Sequence, residues 1–133
     1  MKNEFVKIEE ALALKELGFD EVSLCCYFEG ELRLTTDEEY LIYELEGNSW
    51  RKNSDFNNSV TAPLYQQAFR FFREEYGLVC GVREVCKGKY SFEIERWEDY
   101  SFSSILRWFD SWAVAELDCL RKLIEIVKQH PFF

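Results

Sequence analysis

Histidine is nearly absent from this chain. Its single His, His130, stands just before the final Pro-Phe-Phe. That excludes a His-rich metal site and weighs against a Cys–His or Ser–His catalytic pair. So late in the chain, it reads as a solvent-exposed residue of a frayed end. Glycine is scarce too, at six residues. Neither G-x-x-x-x-G-K-[ST] nor G-x-G-x-x-G occurs, so a phosphate cradle of either kind is excluded. The opening MKNEFVKIEE has no apolar h-region, and no apolar run approaches the length that spans a bilayer. The expectation is a soluble, cytoplasmic protein with no membrane partner. Cysteine is odd in number: Cys25, Cys26, Cys80, Cys86 and Cys119. Cys25 and Cys26 are adjacent, and on a strand they face opposite sides. The Cys80–Cys86 spacing is not that of a zinc knuckle. All five read as reduced thiols that act as small hydrophobes.

Carboxylates are plentiful, as Glu9 with Glu10, Asp37-Glu38-Glu39, and Glu98 with Asp99. Paired acids can serve glycoside hydrolysis or bind a divalent cation. Here no spacing marks either use, and the acids read as a solvated face. The chain is therefore expected to be no enzyme and to need no cofactor or metal.

What the chain does hold is rings and negative charge. Twelve Phe, seven Tyr and four Trp make 17% of its residues aromatic, within 47% hydrophobic overall. Global disorder is excluded, and one domain spanning 1–133 with a ring-built core is expected. Some rings should stay at the surface and mark a binding face. The net charge of −9 is uneven. Residues 1–61 hold 6 Lys/Arg and 14 Asp/Glu, a net of −8, and residues 62–133 hold 10 and 11, a net of −1. The acidic first half disfavours nucleic-acid backbone and anionic membrane, and favours a basic partner.

Local patterns give an α+β order of α-ββ(β)-α-βββ-α, an antiparallel sheet with helices on one face. Residues 8–17 read as a short helix ended by Gly18. Residues 22–28 and 31–35 read as a hairpin about Glu29-Gly30, with Leu32 and Leu34 inward and Arg33 outward. TDEE at 36–39 could open a helical turn, and 40–45 reads as a third strand. Residues 47–60 read as a loop that carries Trp50 and Phe56. Residues 61–78, TAPLYQQAFRFFREEYGL, read as a helix with Pro63 at its first position and Gly77 as its stop. Its stripe is Tyr65, Ala68, Phe69, Phe72 and Tyr76, with Arg70 and Glu74 a turn apart on the other side. Residues 78–86 and 90–97 read as strands about a Lys87-Gly88-Lys89 turn. Tyr90, Phe92 and Ile94 would be covered, and Ser91, Glu93 and Glu95 wet. Residues 104–109 read as a further strand. Ser111 caps a final helix with a stripe of Ala113, Leu117, Leu120, Ile124 and Val127 and an Arg121–Glu125 pair outside it.

The order helix, three strands, helix over 63–129 is similar to that of the double-stranded-RNA-binding domain. Such domains hold a basic cluster at the start of the last helix. Here that position reads Ser111, Trp112, Ala113, Val114, Ala115, Glu116. The basic residues Arg70, Arg73, Lys87, Lys89, Arg121 and Lys122 are interleaved with acids, so direct nucleic-acid binding is not expected.

Three segments carry a resemblance: IEEALALKELGFDE at 8–21, the 61–78 segment, and SWAVAELDCLRKLIEIVK at 111–128. Together they resemble a group of small bacteriophage, prophage and mobile-element proteins with the pattern ALKELGFD, AP-x-YQQAF-x-[WF]FRE-x-YGL, A-E-L-x-CL-x-KLIEIVK. The resemblance covers 50 of the 133 residues. It implies a protein acting in a bacterial host, and no functional residue carries over from it. Small acidic proteins in that setting include anti-CRISPR inhibitors of host nucleases. The resulting expectation is a non-enzymatic module that inhibits or modulates a host nucleoprotein with a basic surface. The partner-binding candidates are Glu9, Glu10, Asp37, Glu38, Glu39, Trp50, Phe56, Trp97, Tyr100 and Trp112. The alternatives are a self-assembling accessory phage protein, a homo-oligomer, and an RNA-contacting domain.

Overall fold

The computed structural model describes residues 4–34, 52–53, 59–96, 102–104 (backbone) and 107–130. The chain divides into two compact units, Met1–Gln67 and Ala68–Phe133. The α+β class and the element order are as expected, and the strands form two antiparallel sheets of three. The expected turn at 36–39 and strand at 40–45 lie outside the described residues.

In the first unit, α1 spans Ile8–Glu16. Ala11 and Leu14 are buried on its inner side, and the helix packs against β3 (Val60–Ala62). Its end is a Schellman stop: Gly18 takes φ +93°, its N–H reaches Lys15 O at 3.0 Å, and Phe19 N–H reaches Leu14 O at 2.9 Å. Phe19 and Leu14, the pair that this stop brings together, are both fully buried. β1 (Cys25–Phe28) and β2 (Glu31–Leu34) form a hairpin whose two turn residues have positive φ, Glu29 at 52° and Gly30 at 81°. That twist suits a two-residue connection. The sheet order is β2-β1-β3. Leu32 is half-buried, but Leu34 is exposed and Arg33 is half-buried. Arg33 is held by Glu31 at 3.1 Å and lies 5.7 Å from the Phe28 ring, so its stem covers apolar surface.

The third strand of this sheet is β3, which takes the last residue of the expected 47–60 loop and the two residues before Pro63. Its register sets Ala62 against Cys25, Thr61 against Cys26 and Val60 against Tyr27. The side chain of Asn53 fixes it further: Oδ1 accepts the Thr61 N–H at 2.9 Å, and Nδ2 donates to Phe19 O at 2.7 Å. Strand pairing therefore claims Thr61 and Ala62, and α2 (Tyr65–Tyr76) begins two residues after Pro63. Leu64 takes the capping position. Its N–H is accepted by Gln67 Oε1 at 3.0 Å, which is one half of a capping box. Gln67 Nε2 donates in turn to Val22 O at 2.9 Å.

In α2, Tyr65, Ala68 and Phe72 are buried as expected. Phe71 joins them and Phe69 is half-buried, because 68, 71 and 72 share one helical face. Gly77 at φ +66° ends the helix. In the second unit, β4 (Leu78–Cys86), β5 (Lys89–Arg96) and β6 (Phe102–Ser104) lie in sequence order. Leu78, Phe92 and Ile94 are buried on the face to which α3 (Trp112–Gln129) packs. Of the strand expected over 104–109, Ser104 lies in β6 and Phe109 is joined to β5 by a two-bond bridge to Tyr90, while residues 105–106 lie outside the described residues. Phe109 stacks on Phe92 with centroids 6.0 Å apart, and Ser91 Oγ donates to Arg107 O at 3.1 Å. Ser91 is thus buried rather than wet.

Ser111 caps α3, its Oγ accepting the Val114 N–H at 3.2 Å. Leu120, Ile124 and Val127 are buried as expected. Toward the N-terminus the buried face is Ala115, Glu116 and Cys119, with Leu123 further along, while Ala113 and Leu117 are half-buried. The covered side is turned by about one residue position from the expected stripe. Glu125 accepts from Lys122 at 3.5 Å and from Gln129 at 3.3 Å.

Candidate protein-binding surfaces

Glu9 is exposed in the first turn of α1, where a carboxylate also suits the helix dipole. Glu10 is not a surface acid: it is 7% exposed. Helical spacing sets Glu10 one turn before Leu14, on the covered side. Its charge reaches the Tyr27 phenol, whose pKa is raised by burial first, then by Cys25 and Glu10. Tyr27 Oη donates to Val6 O at 2.7 Å. Asp37, Glu38, Glu39, Trp50, Phe56, Trp97 and Tyr100 lie outside the described residues.

The exposed charge of the first unit is nonetheless one-sided. Among its described residues Glu4, Glu9, Glu16, Asp20, Glu29 and Glu31 are exposed, against only Lys7 and Lys52 among Lys and Arg. Lys52 itself lies 4.0 Å from Asp20. Six acids against two bases produce a negative potential that attracts cationic surface and repels phosphate.

The second unit offers rings. Trp112 is the first residue of α3 and is 43% exposed. It meets the half-buried Tyr90 edge-to-face at 6.0 Å and 79°. Two further apolar side chains, absent from the sequence-based set, stand out more: Trp108 at 60% and Val114 at 51%. Trp108 precedes a buried Phe109 in the segment read as a strand, and on a strand such neighbours point to opposite sides. That parity is the signal that could have found it, since Phe109 and Trp108 cannot both face the core. Nearby, Lys89 Nζ bonds Asp110 Oδ1. This hydrogen bond raises the Lys89 pKa and lowers that of Asp110, at the solvent-exposed ends of both chains. Arg107 lies 5.3 Å from the centroid of Phe109.

Arg83 lies 3.0 Å from Glu93 and Lys122 is bonded to Glu125. His130 is exposed at the C-terminal cap of α3. Among the described residues no group of three or more His, Cys, Asp or Glu could hold a metal ion, and no helix is long and apolar enough to cross a membrane. Comparison with family models, with curated proteins and with solved structures finds no match for this chain.

Proposed function

We propose that this chain is a non-enzymatic protein-binding module of phage or mobile-element type. Its partner is a host defence nuclease or another nucleoprotein with a basic surface, which it inhibits or modulates in the manner of anti-CRISPR proteins. The observation that carries this reading is the acid excess among the described exposed residues of the first unit, six carboxylates against two cations. Such a surface competes with nucleic acid for a basic channel and lends speed and specificity to association. Exposed tryptophans are the side chains that most often supply binding energy once desolvated, and Trp108 and Trp112 fill that role here.

The test is a tagged pull-down from bacterial host lysate, with and without nuclease treatment, read by mass spectrometry. One stoichiometric nuclease or nucleoprotein, retained after nuclease treatment, supports the reading. The combined Glu4, Glu9, Glu16, Glu29 and Glu31→Gln variant should then lose that partner while its unfolding curve stays in place. Retained binding in that variant overturns the acidic-surface mode. A second reading, self-assembly, is favoured by the exposed Trp108, Trp112 and Val114. It predicts a concentration-dependent mass in solution and recovery of the bait alone.

A further inference from the structure

Cys80 and Cys119 come from distant parts of the second unit and meet in its interior. Cys80 sits on β4 opposite Ile94, in register. It therefore shares the sheet face of the buried Leu78, Phe92 and Ile94, and α3 packs on β4 and β5. Cys119 lies on the buried side of α3 and is fully covered. The Cys80 thiol beside it, with burial second, pushes the Cys119 pKa up. Cys80 is only partly buried, whereas Cys119 is fully covered. The other cysteines have no such arrangement. Cys25 and Cys26 are chain neighbours on opposite faces of β1. Cys86 is exposed beside the hairpin turn, six residues from Cys80 on the same strand, which is roughly 20 Å away along it.

We propose that Cys80 and Cys119 form an oxidation site for small peroxides, closing to a disulfide that ties α3 to β4. The Cys80 thiolate attacks one oxygen of hydrogen peroxide, the O–O bond breaks, and Cys80 becomes a sulfenic acid while the leaving hydroxide takes up the thiol proton as water. The Cys119 sulfur then attacks the sulfenic sulfur. The S–O bond breaks as the S–S bond forms, and the hydroxyl leaves with the Cys119 proton as a second water. Two thiols and one peroxide become one disulfide and two waters, with both sulfurs oxidised and the peroxide oxygens reduced. Burial of Cys119 makes the second step the slow one, because its thiolate is the attacking form. The closed bridge spans 80 to 119 and constrains the unfolded chain, so oxidised protein should be harder to unfold.

The experiment uses the full chain with Cys86→Ser, which removes the exposed competing thiol. The protein is treated with hydrogen peroxide, denatured, alkylated and mapped without reductant. The expected result is a linked peptide pair joining Cys80 to Cys119, a fall from four alkylatable thiols to two, and a higher Tm that dithiothreitol reverses. Recovery of both residues as alkylated cysteines after oxidation overturns the proposal. A Cys119→Ala companion should stop at a Cys80 sulfenic acid that dimedone traps; if that variant fails to fold, the peptide map decides alone.

Discussion

The side chain of Asn53 is the sharpest place to test how this fold is held. Its amide closes two buried backbone groups at once, Phe19 O at 2.7 Å and the Thr61 N–H at 2.9 Å. Phe19 is 1% exposed and Thr61 0%, so neither group has water as a ready substitute. Asn53→Ala removes both of these hydrogen bonds. At about 1–3 kcal/mol for each buried bond removed, the expected loss is roughly 2–6 kcal/mol. For a chain of this length, a loss near the middle of that range lowers Tm by about 10 °C. A second substitution separates lost hydrogen bonding from lost packing. Asn53→Asp preserves shape and can still accept from Thr61, but an ionised carboxylate turns an oxygen toward the Phe19 carbonyl. When protonated, the introduced carboxyl can donate to that carbonyl again. Its folded pKa is therefore raised, and the protonated form carries the stability, which is present at low pH and lost as pH rises through the folded value. Urea unfolding of wild type and both variants at pH 4.5 and pH 7.5 checks this. The Asp variant should close much of its gap to wild type at the lower pH. An Ala variant within about 0.5 kcal/mol of wild type, the range of ordinary surface changes, would refute the reasoning.

Other consequences are as specific. Thr61→Val should be neutral or stabilise by up to about 1 kcal/mol in urea unfolding, because Thr61 Oγ1 is buried with no hydrogen-bond partner among the described residues. Gly18→Ala should cost about 1–2 kcal/mol through backbone strain alone, since φ is +93° and an added Cβ would meet no atom within 4 Å. Alkaline pH should destabilise the protein from the ordinary thiol value of 9.0 upward. Above it the unfolded Cys119 loses its proton while the folded one keeps it, so stability falls by about 1.4 kcal/mol per pH unit, and Cys119→Ala should flatten that slope in a pH series of thermal melts. Trp108→Ala should move Tm little and weaken partner binding at least tenfold, read by titration calorimetry against the captured partner.

The sequence was most legible where one residue type settles the local backbone. Gly18, Gly30 and Gly77 end or turn their segments at φ +93°, +81° and +66°, as their places between apolar patterns imply. Ser111 caps its helix, and the alternation of Tyr90, Phe92 and Ile94 reads correctly. It was least legible where distant residues compete for the same backbone. Pro63 favours an extended Ala62, but nothing local reveals that β1 and Asn53 are the partners that pair with Ala62 and Thr61. Nor does spacing alone reveal that a carboxylate such as Glu10 lies on the covered side of a nine-residue helix whose apolar residues ring much of its circumference. Seven of the ten candidate surface residues fall outside the described positions, so their reading rests on sequence.

The rings show why fold and function separate in this chain. Phe92 and Phe109 stack in the core, and Phe72 meets Phe71 at 5.4 Å. Each such ring removes a large apolar area from water, and truncating it costs about 3–5 kcal/mol. Trp108 does the opposite: 60% of its surface stays wet, so the fold gains little from it. Leaving large apolar area in water raises the risk of aggregation and contributes nothing to the core. A smaller polar residue at 108 would leave the Phe109–Phe92 stack and the Tyr90–Phe109 bridge in place, because neither contact involves the Trp108 side chain. The Trp side chain therefore has no folding role to explain it. Substituting it should change what the protein binds before it changes whether the protein folds.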